Sequence, residues 1–183
     1  MQIDAAQFTK IMYAVYERFE PKAEPAPAPA PDDKEVGYRE NSYVEPPPAP
    51  SKLSPADAEL VVAIMQLAVA ADRVEDPDES ALFDQLAGHI YHHANVNTTP
   101  PHLGPVEDAE RRLDHLRSHA AQLQGKASAA LAYAVAYILA ISDMDLDPDE
   151  SEMLGVLCEA LGLDGEKADD LLPIVSELIT PPE

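Results

Sequence analysis

The sequence predicts an all-α protein, and three observations carry that prediction. Apolar residues recur at three- and four-residue spacing along much of the 183-residue chain, whereas no alternating pattern of convincing length predicts a strand. Proline and glycine separate the apolar segments. A five-residue acidic motif occurs twice. We therefore expect a helical bundle of two repeated halves, each a helix, an acidic turn and a second helix, preceded by an amphipathic helix and a proline-rich linker.

Residues 1–20 are predicted to form the amphipathic helix. Their apolar side chains share one face, with polar side chains opposite. That apolar stripe comprises Phe8, Ile11, Met12, Val15 and Phe19. An isolated helix of this length is only marginally stable in water, so the segment either folds back onto its own domain or binds a groove of another protein. We expect the second, because folding back does not require the long spacer that follows.

Residues 21–53 are predicted to be an extended linker. Ten prolines lie from Pro21 to Pro55, and apart from alanine the segment holds few apolar residues. Such a composition cannot bury enough surface to fold alone. At about 3.1 Å per residue, a stiff proline-rich segment of this length reaches on the order of 100 Å.

The folded domain is expected at residues 54–183. Ser54 followed by Pro55 is a helix start signal, and Gly125 and Gly162 are stop signals. Pro173 falls inside the last helical pattern, where we expect a kink or a break. The predicted helices cover about 55–71, 77–94, 105–124, 127–141, 148–161 and 165–179.

An internal repeat is the sharpest feature of this domain. At an offset of 71 residues, the segment 76–80 and the segment 147–151 both read Asp-Pro-Asp-Glu-Ser, and Asp72 aligns with Asp143. An alanine-rich apolar helix precedes each motif and an amphipathic helix follows it. The repeat therefore predicts two halves of the same architecture.

This duplicated pattern resembles the TerB-like tellurite-resistance domain over residues 56–179. In that family the turn usually begins Asp-Gly, carries an aliphatic residue two positions later and ends in Glu. The second copy keeps Asp143, Leu146 and Glu150 but has Met144 in place of Gly. The first copy keeps Asp72 and Glu79, while Arg73 and Glu75 occupy the Gly and aliphatic positions. The resemblance implies an all-helical bundle with a non-enzymatic role in stress or metal-related complexes, and acidic turns that bind a cation.

The acidic turns have two interpretations. Asp-Pro-x-Glu is a helix start, with Asp as cap, Pro at the first position and Glu near the positive end of the helix dipole. That interpretation leaves Asp72, Asp143 and Asp145 unexplained, because they follow a helix whose C-terminal end disfavours negative charge. A bound cation explains them.

The second turn carries the stronger cation signal. Asp143, Asp145 and Asp147 have the one-three-five spacing of a calcium loop, although Pro148 and Leu154 replace the glycine and the bidentate glutamate of an EF-hand. Oxygen-only ligands favour calcium or magnesium over zinc. The candidate metal ligands are Asp72, Glu79, Asp143, Asp145, Asp147 and Glu150.

All six histidines lie between the two motifs. His89 and His93, and likewise His115 and His119, are one helical turn apart, so two antiparallel helices could offer four nitrogens to zinc. The favoured interpretation is that these are ordinary polar positions beside the apolar stripes of their helices.

Composition limits the possible functions. A formal charge of −22 argues against nucleic acid and anionic membrane surfaces as partners. The lone Cys158 lies in an apolar helical pattern, which predicts a buried, inert thiol in a reducing compartment. No apolar run reaches the roughly 18 residues of a membrane span. We find no phosphate-binding loop or nucleophile elbow and expect no enzymatic activity.

The sequence thus favours a cytoplasmic, non-enzymatic module that binds a divalent cation, a protein partner or both through its acidic turns. The alternative is a tethered adaptor or structural subunit, recruited to a larger complex through residues 1–20 and the proline-rich linker.

Overall fold

The computed structural model describes residues 2–19, 53–69, 77–101, 109–142, 146 and 148–179. Within these ranges the chain is all-α and forms no strand, which confirms the all-α part of the predicted fold. The helices are α1 (Ala5–Phe19), α2 (Pro55–Val69), α3 (Pro77–His93), α4 (Ala109–Ala121), α5 (Ala127–Ala140), α6 (Pro148–Leu161) and α7 (Gly165–Ile179).

Helix α5 is the centre of the bundle. Its sequence contains no charged residue and its alanines allow close approach of neighbouring helices, so it can be surrounded on all sides. It packs against α1, α2, α3, α6 and α7. Of its larger side chains, Leu131, Val135 and Ile138 are fully buried.

The other helices also pack against one another. Helix α2 packs against α3 and α4, and α4 packs against α6. Lys126 immediately precedes α5, and its Nζ lies 2.7 Å from the Asp57 carboxylate in the first turn of α2. The starts of these two adjacent helices therefore lie at the same end of the bundle.

The predicted helix ends are largely confirmed. The Ser54 hydroxyl accepts a hydrogen bond from the Asp57 amide at 3.1 Å, which caps α2. Gly162 directly follows α6 with a φ of 66°, the left-handed conformation in which glycine commonly ends a helix. Gly125 also has a left-handed φ of 73°, but α4 ends at Ala121, earlier than the expected residue 124. Helices α3 and α6 begin at Pro77 and Pro148, as expected from their motifs.

Other features differ from the prediction as well. Helix α7 continues through Pro173 without a break. Helix α4 begins at Ala109, later than the expected residue 105, although residues 102–108 lie outside the described part of the chain. Leu53 was expected to end the linker, yet it is only 5% exposed and belongs to the hydrophobic core. The other linker residues, 21–52, lie outside the described residues.

The largest correction concerns α1. This helix packs against α3, α5 and α7. In the apolar stripe, Phe8, Ile11 and Val15 are fully buried, Met12 is 5% exposed, and Phe19 packs partly buried against the same core. The expectation that this stripe is exposed is therefore wrong for this structure, whereas the binding of a partner protein by residues 1–20 stays a prediction. The sequence analysis left two alternatives for this helix, which is only marginally stable alone: folding back onto its own domain or binding a groove of another protein. The structure shows the helix folded back and buried on its own domain.

Candidate functional site

The acidic turns are only partly within the described residues. Asp72, Asp143, Asp145 and Asp147 lie outside them, so the structure does not test their arrangement. Glu79 and Glu150 occupy the first turns of α3 and α6. This position fits the helix-start interpretation, because carboxylates are favourable near the positive end of a helix.

The two glutamates differ in burial. Glu79 is only 8% exposed, which makes it one of the few buried charged side chains among the described residues. Glu150 is partly buried. Both side chains are engaged in interactions within the fold. A buried carboxylate requires such compensation.

The described residues contain no group of three or more His, Cys, Asp or Glu side chains placed to hold a metal ion. All four histidines of the two helical pairs lie within the described part. The two pairs therefore do not converge on one four-nitrogen site in this structure.

The histidine pair on α3 instead contacts the N-terminal helix. His89 Nε2 donates a hydrogen bond to the backbone oxygen of Ile3 at 3.0 Å. Its ring also stacks on the ring of Phe8, with centroids 5.3 Å apart and an angle of 22° between the planes. One turn earlier, the Gln85 side-chain oxygen accepts a hydrogen bond from the Ile3 amide at 3.2 Å. Gln85 and His89 thus hold both backbone polar groups of Ile3.

His93 extends this contact by one turn. Its Nε2 lies 3.4 Å from the Thr9 hydroxyl, and its ring centroid lies 5.7 Å from that of Phe8. The Thr9 hydroxyl donates to the backbone oxygen of Ala5 at 2.7 Å, so His93 Nε2 is best placed as the donor to Thr9. Burial, followed by the neighbouring His92 and His89, lowers the pKa of His93 below its ordinary value.

The start of α1 is defined by a reciprocal cap. The Asp4 carboxylate accepts from the Gln7 amide at 2.8 Å, and the Gln7 side-chain oxygen accepts from the Asp4 amide at 3.0 Å. This is a capping box, whose Asp-x-x-Gln pattern is visible in the sequence. The box directs the preceding residue, Ile3, toward α3, where it is 1% exposed.

The second histidine pair lies on α4. Burial, followed by His115, lowers the pKa of His119. The Nδ1 atom of His119 is buried and has no hydrogen-bond partner. His115 is exposed. One exposed and one half-buried imidazole on a helix surface fit the interpretation of ordinary polar positions.

Cys158 is a free, partly buried cysteine. Its Sγ lies 3.9 Å from the Leu163 backbone oxygen. Burial, followed by Asp169 and Asp164, raises the pKa of the Cys158 thiol. A raised pKa leaves little thiolate at neutral pH, which agrees with the predicted inert thiol.

The contact between α1 and the α3 histidines could not be inferred from the sequence analysis. Its one local signal is the Asp4-x-x-Gln7 capping box, which indicates where α1 starts but not what it packs against. The contact joins residues more than 80 positions apart, as for Ile3 and Gln85, and helical periodicity contains no information about such pairs.

No protein-family model, curated protein or solved structure matches this chain. Among the described helices, none has both the length and the apolar character that crossing a membrane requires.

Proposed function

We propose that this chain is a non-enzymatic, acidic helical module that binds a divalent cation at its second acidic turn. The ligands would be the carboxylates of Asp143, Asp145 and Asp147, with Glu150 from the first turn of α6. Carboxylate oxygens favour calcium or magnesium over zinc. The one-three-five spacing of the three aspartates, directly after the C-terminal end of α5, is the observation that carries this proposal.

The positions of the helices support the duplication on which the proposal rests. Pro77 and Pro148, which begin α3 and α6, are separated by the same 71 residues as the two sequence motifs. Helix α2 packs against α3, α5 packs against α6, and α2 and α5 lie side by side. The first acidic motif therefore connects α2 to α3, and the second connects α5 to α6. In both cases the two connected helices pack against each other.

Charge also supports a cation or a basic protein as ligand. Exposed carboxylates cover the C-terminal part of the domain, where Asp149, Glu152, Glu159, Asp164, Glu166, Asp169, Asp170 and Glu177 are exposed. Lys167 is the sole Lys or Arg in the sequence from residue 148 to residue 179. The summed negative potential raises the local concentration of cations near the second turn.

The resemblance to the TerB-like domain points to the same function, a cation-binding role outside catalysis in a stress or metal-related complex. We include this role in the proposal because the acidic turn that carries the resemblance occurs twice in the sequence. The tethered adaptor docked through residues 1–20 is not proposed, because the side chains that would contact a partner are buried in the core.

Isothermal titration calorimetry of the full chain tests the proposal. We would titrate calcium, magnesium, manganese and zinc separately into the wild type and into the double variant Asp143→Asn with Asp145→Asn. A matched control is Asp169→Asn with Asp170→Asn, two exposed positions on α7 that remove the same charge. Calcium or magnesium should bind the wild type and the control with similar affinity, and the turn variant should lose most of that binding.

The cation should also raise thermal stability in proportion to the logarithm of its concentration, because it binds the folded site and not the open chain. Equal heats for all three proteins would show that the second turn is not the binding site. Equal loss in the turn variant and the α7 control would show that the ion responds to net charge and not to the turn.

A further inference from the structure

Helix α1 is held by contacts that do not depend on its connection to the rest of the chain. It lies in a groove formed by α3, α5 and α7, where Phe8 and Val15 are fully buried. On α3, Gln85 and His89 bind both backbone polar groups of Ile3. The α1 helix of a second copy of this chain presents the same atoms and can therefore form the same contacts in this groove.

The connection between α1 and the rest of the bundle is long. Residues 20–52 connect Phe19 to Leu53, whereas residues 162–164 suffice to connect α6 to α7. Connections between packed helices usually contain about 2 to 8 residues. A proline-rich segment of this length reaches on the order of 100 Å when extended, which is enough for α1 to reach the groove of a neighbouring copy.

The length of the connection also weakens the preference of α1 for the groove of its own chain. A short flexible tether gives the tethered segment an effective concentration on the order of 1 mM at its site, and this value falls as the tether lengthens. Proline-rich sequences favour extended conformations, which bring their two ends together less often than flexible sequences do. Because the noncovalent contacts are the same in both arrangements, a second copy competes at chain concentrations on the order of 1 mM.

We propose that the groove formed by α3, α5 and α7 also binds α1 of a second copy, so that two chains exchange their N-terminal helices and form a domain-swapped dimer. Each half of the dimer is a complete bundle whose α1 comes from the other chain. Exchange requires α1 to leave its groove, which exposes its apolar stripe to water. Folded monomers therefore exchange slowly, whereas chains that fold together at high concentration form both arrangements.

A pair of cysteines on α1 and α3 tests the proposal. The Thr9 hydroxyl lies 3.4 Å from His93 Nε2, so these two positions are adjacent when α1 is docked. One full-length chain carries Thr9→Cys and another carries His93→Cys, each with Cys158→Ser to remove the native thiol. Neither chain can then form this crosslink within one molecule. The two chains are unfolded together in urea, refolded, and treated with a short bis-maleimide reagent.

The expected product is a crosslinked heterodimer, identified by its mass. It should be abundant after refolding at about 1 mM and nearly absent after refolding at about 10 µM, where α1 binds the groove of its own chain. A single chain that carries both Thr9→Cys and His93→Cys should crosslink internally at the lower concentration, which calibrates the pair.

The matched control replaces His93→Cys by Glu152→Cys. Glu152 is exposed on α6, whereas α1 packs against α3, α5 and α7, so this chain measures crosslinking by random collision. Its heterodimer with the Thr9→Cys chain should stay at the low level of the dilute sample.

Light scattering coupled to size-exclusion chromatography measures the mass of the wild type without any added thiol. A dimer should appear in the sample refolded at about 1 mM and persist after dilution, because exchange back is slow. A wild type that is monomeric after refolding at either concentration would overturn the proposal. So would a dimer whose crosslinking between Thr9→Cys and His93→Cys chains does not exceed the Glu152→Cys control, because such a dimer forms through another surface.

Discussion

The phenyl ring of Phe8 lies nearly parallel to the imidazole of His89, with ring centroids 5.3 Å apart. Phe8 belongs to a helix that the sequence favoured as a partner-docking element, and His89 belongs to a pair considered as zinc ligands. The contact gives both residues a role inside the domain. It joins the N-terminal helix to the bundle across the long proline-rich segment that separates them in the chain.

Replacing Phe8 by Ala should strongly destabilise the whole domain. Phe8 is fully buried between α1 and the bundle, and truncation of a buried phenylalanine typically costs about 3 to 5 kcal/mol. Urea denaturation followed by circular dichroism measures the free energy of unfolding. The control is Tyr13→Ala on the same helix, where 54% exposure predicts a change within about 0.5 kcal/mol. Equal stability of the Phe8 variant and the wild type would mean that α1 does not contribute to the fold.

Two glycines should respond in opposite directions to alanine. Gly155 lies within α6, and a Cβ there would meet no atom within 4 Å, so Gly155→Ala should stabilise by about 0.5 to 1 kcal/mol. Gly162 has a φ of 66°, so Gly162→Ala should destabilise by about 1 kcal/mol or more.

The melting temperatures of the two glycine variants, measured side by side, provide the comparison. Both substitutions add one methyl group. If the melting temperature rises in one variant and falls in the other, the backbone conformation of the glycine is therefore the cause of the difference. A stabilising Gly162→Ala would show that the end of α6 does not require the left-handed conformation.

Tyr133 should make stability fall in alkaline solution. Burial, followed by Cys158, Asp169 and Tyr137, raises the pKa of Tyr133 from 10.0 to about 12. The folded state therefore retains a proton that the unfolded state loses, and stability contributed by Tyr133 declines as the pH rises from about 10 toward about 12. Urea unfolding of the wild type and of Tyr133→Phe across this range should show a weaker alkaline decline in the variant. Parallel curves would contradict the predicted ionisation.

The sequence by itself determined the all-α class and most helix ends. Both depend on local interactions: three- and four-residue apolar spacing, a serine cap before Pro55, and a left-handed glycine at position 162 directly after α6. Even so, a local rule can be overridden, as Pro173 shows by remaining within a continuous α7. Pro173 itself is exposed, and α7 packs against α1, α5 and α6.

Only the tertiary structure decided what the helix faces contact. The stripe of Phe8, Ile11 and Val15 could be buried equally well in a groove of another protein or in a groove of its own domain, because the hydrophobic effect is not directional. The length of the proline-rich spacer did not discriminate between them either, since a long tether permits both. The choice rests on complementary partners far away in sequence, such as Gln85 and His89 for Ile3, and those pairings exist only once the helices have assembled.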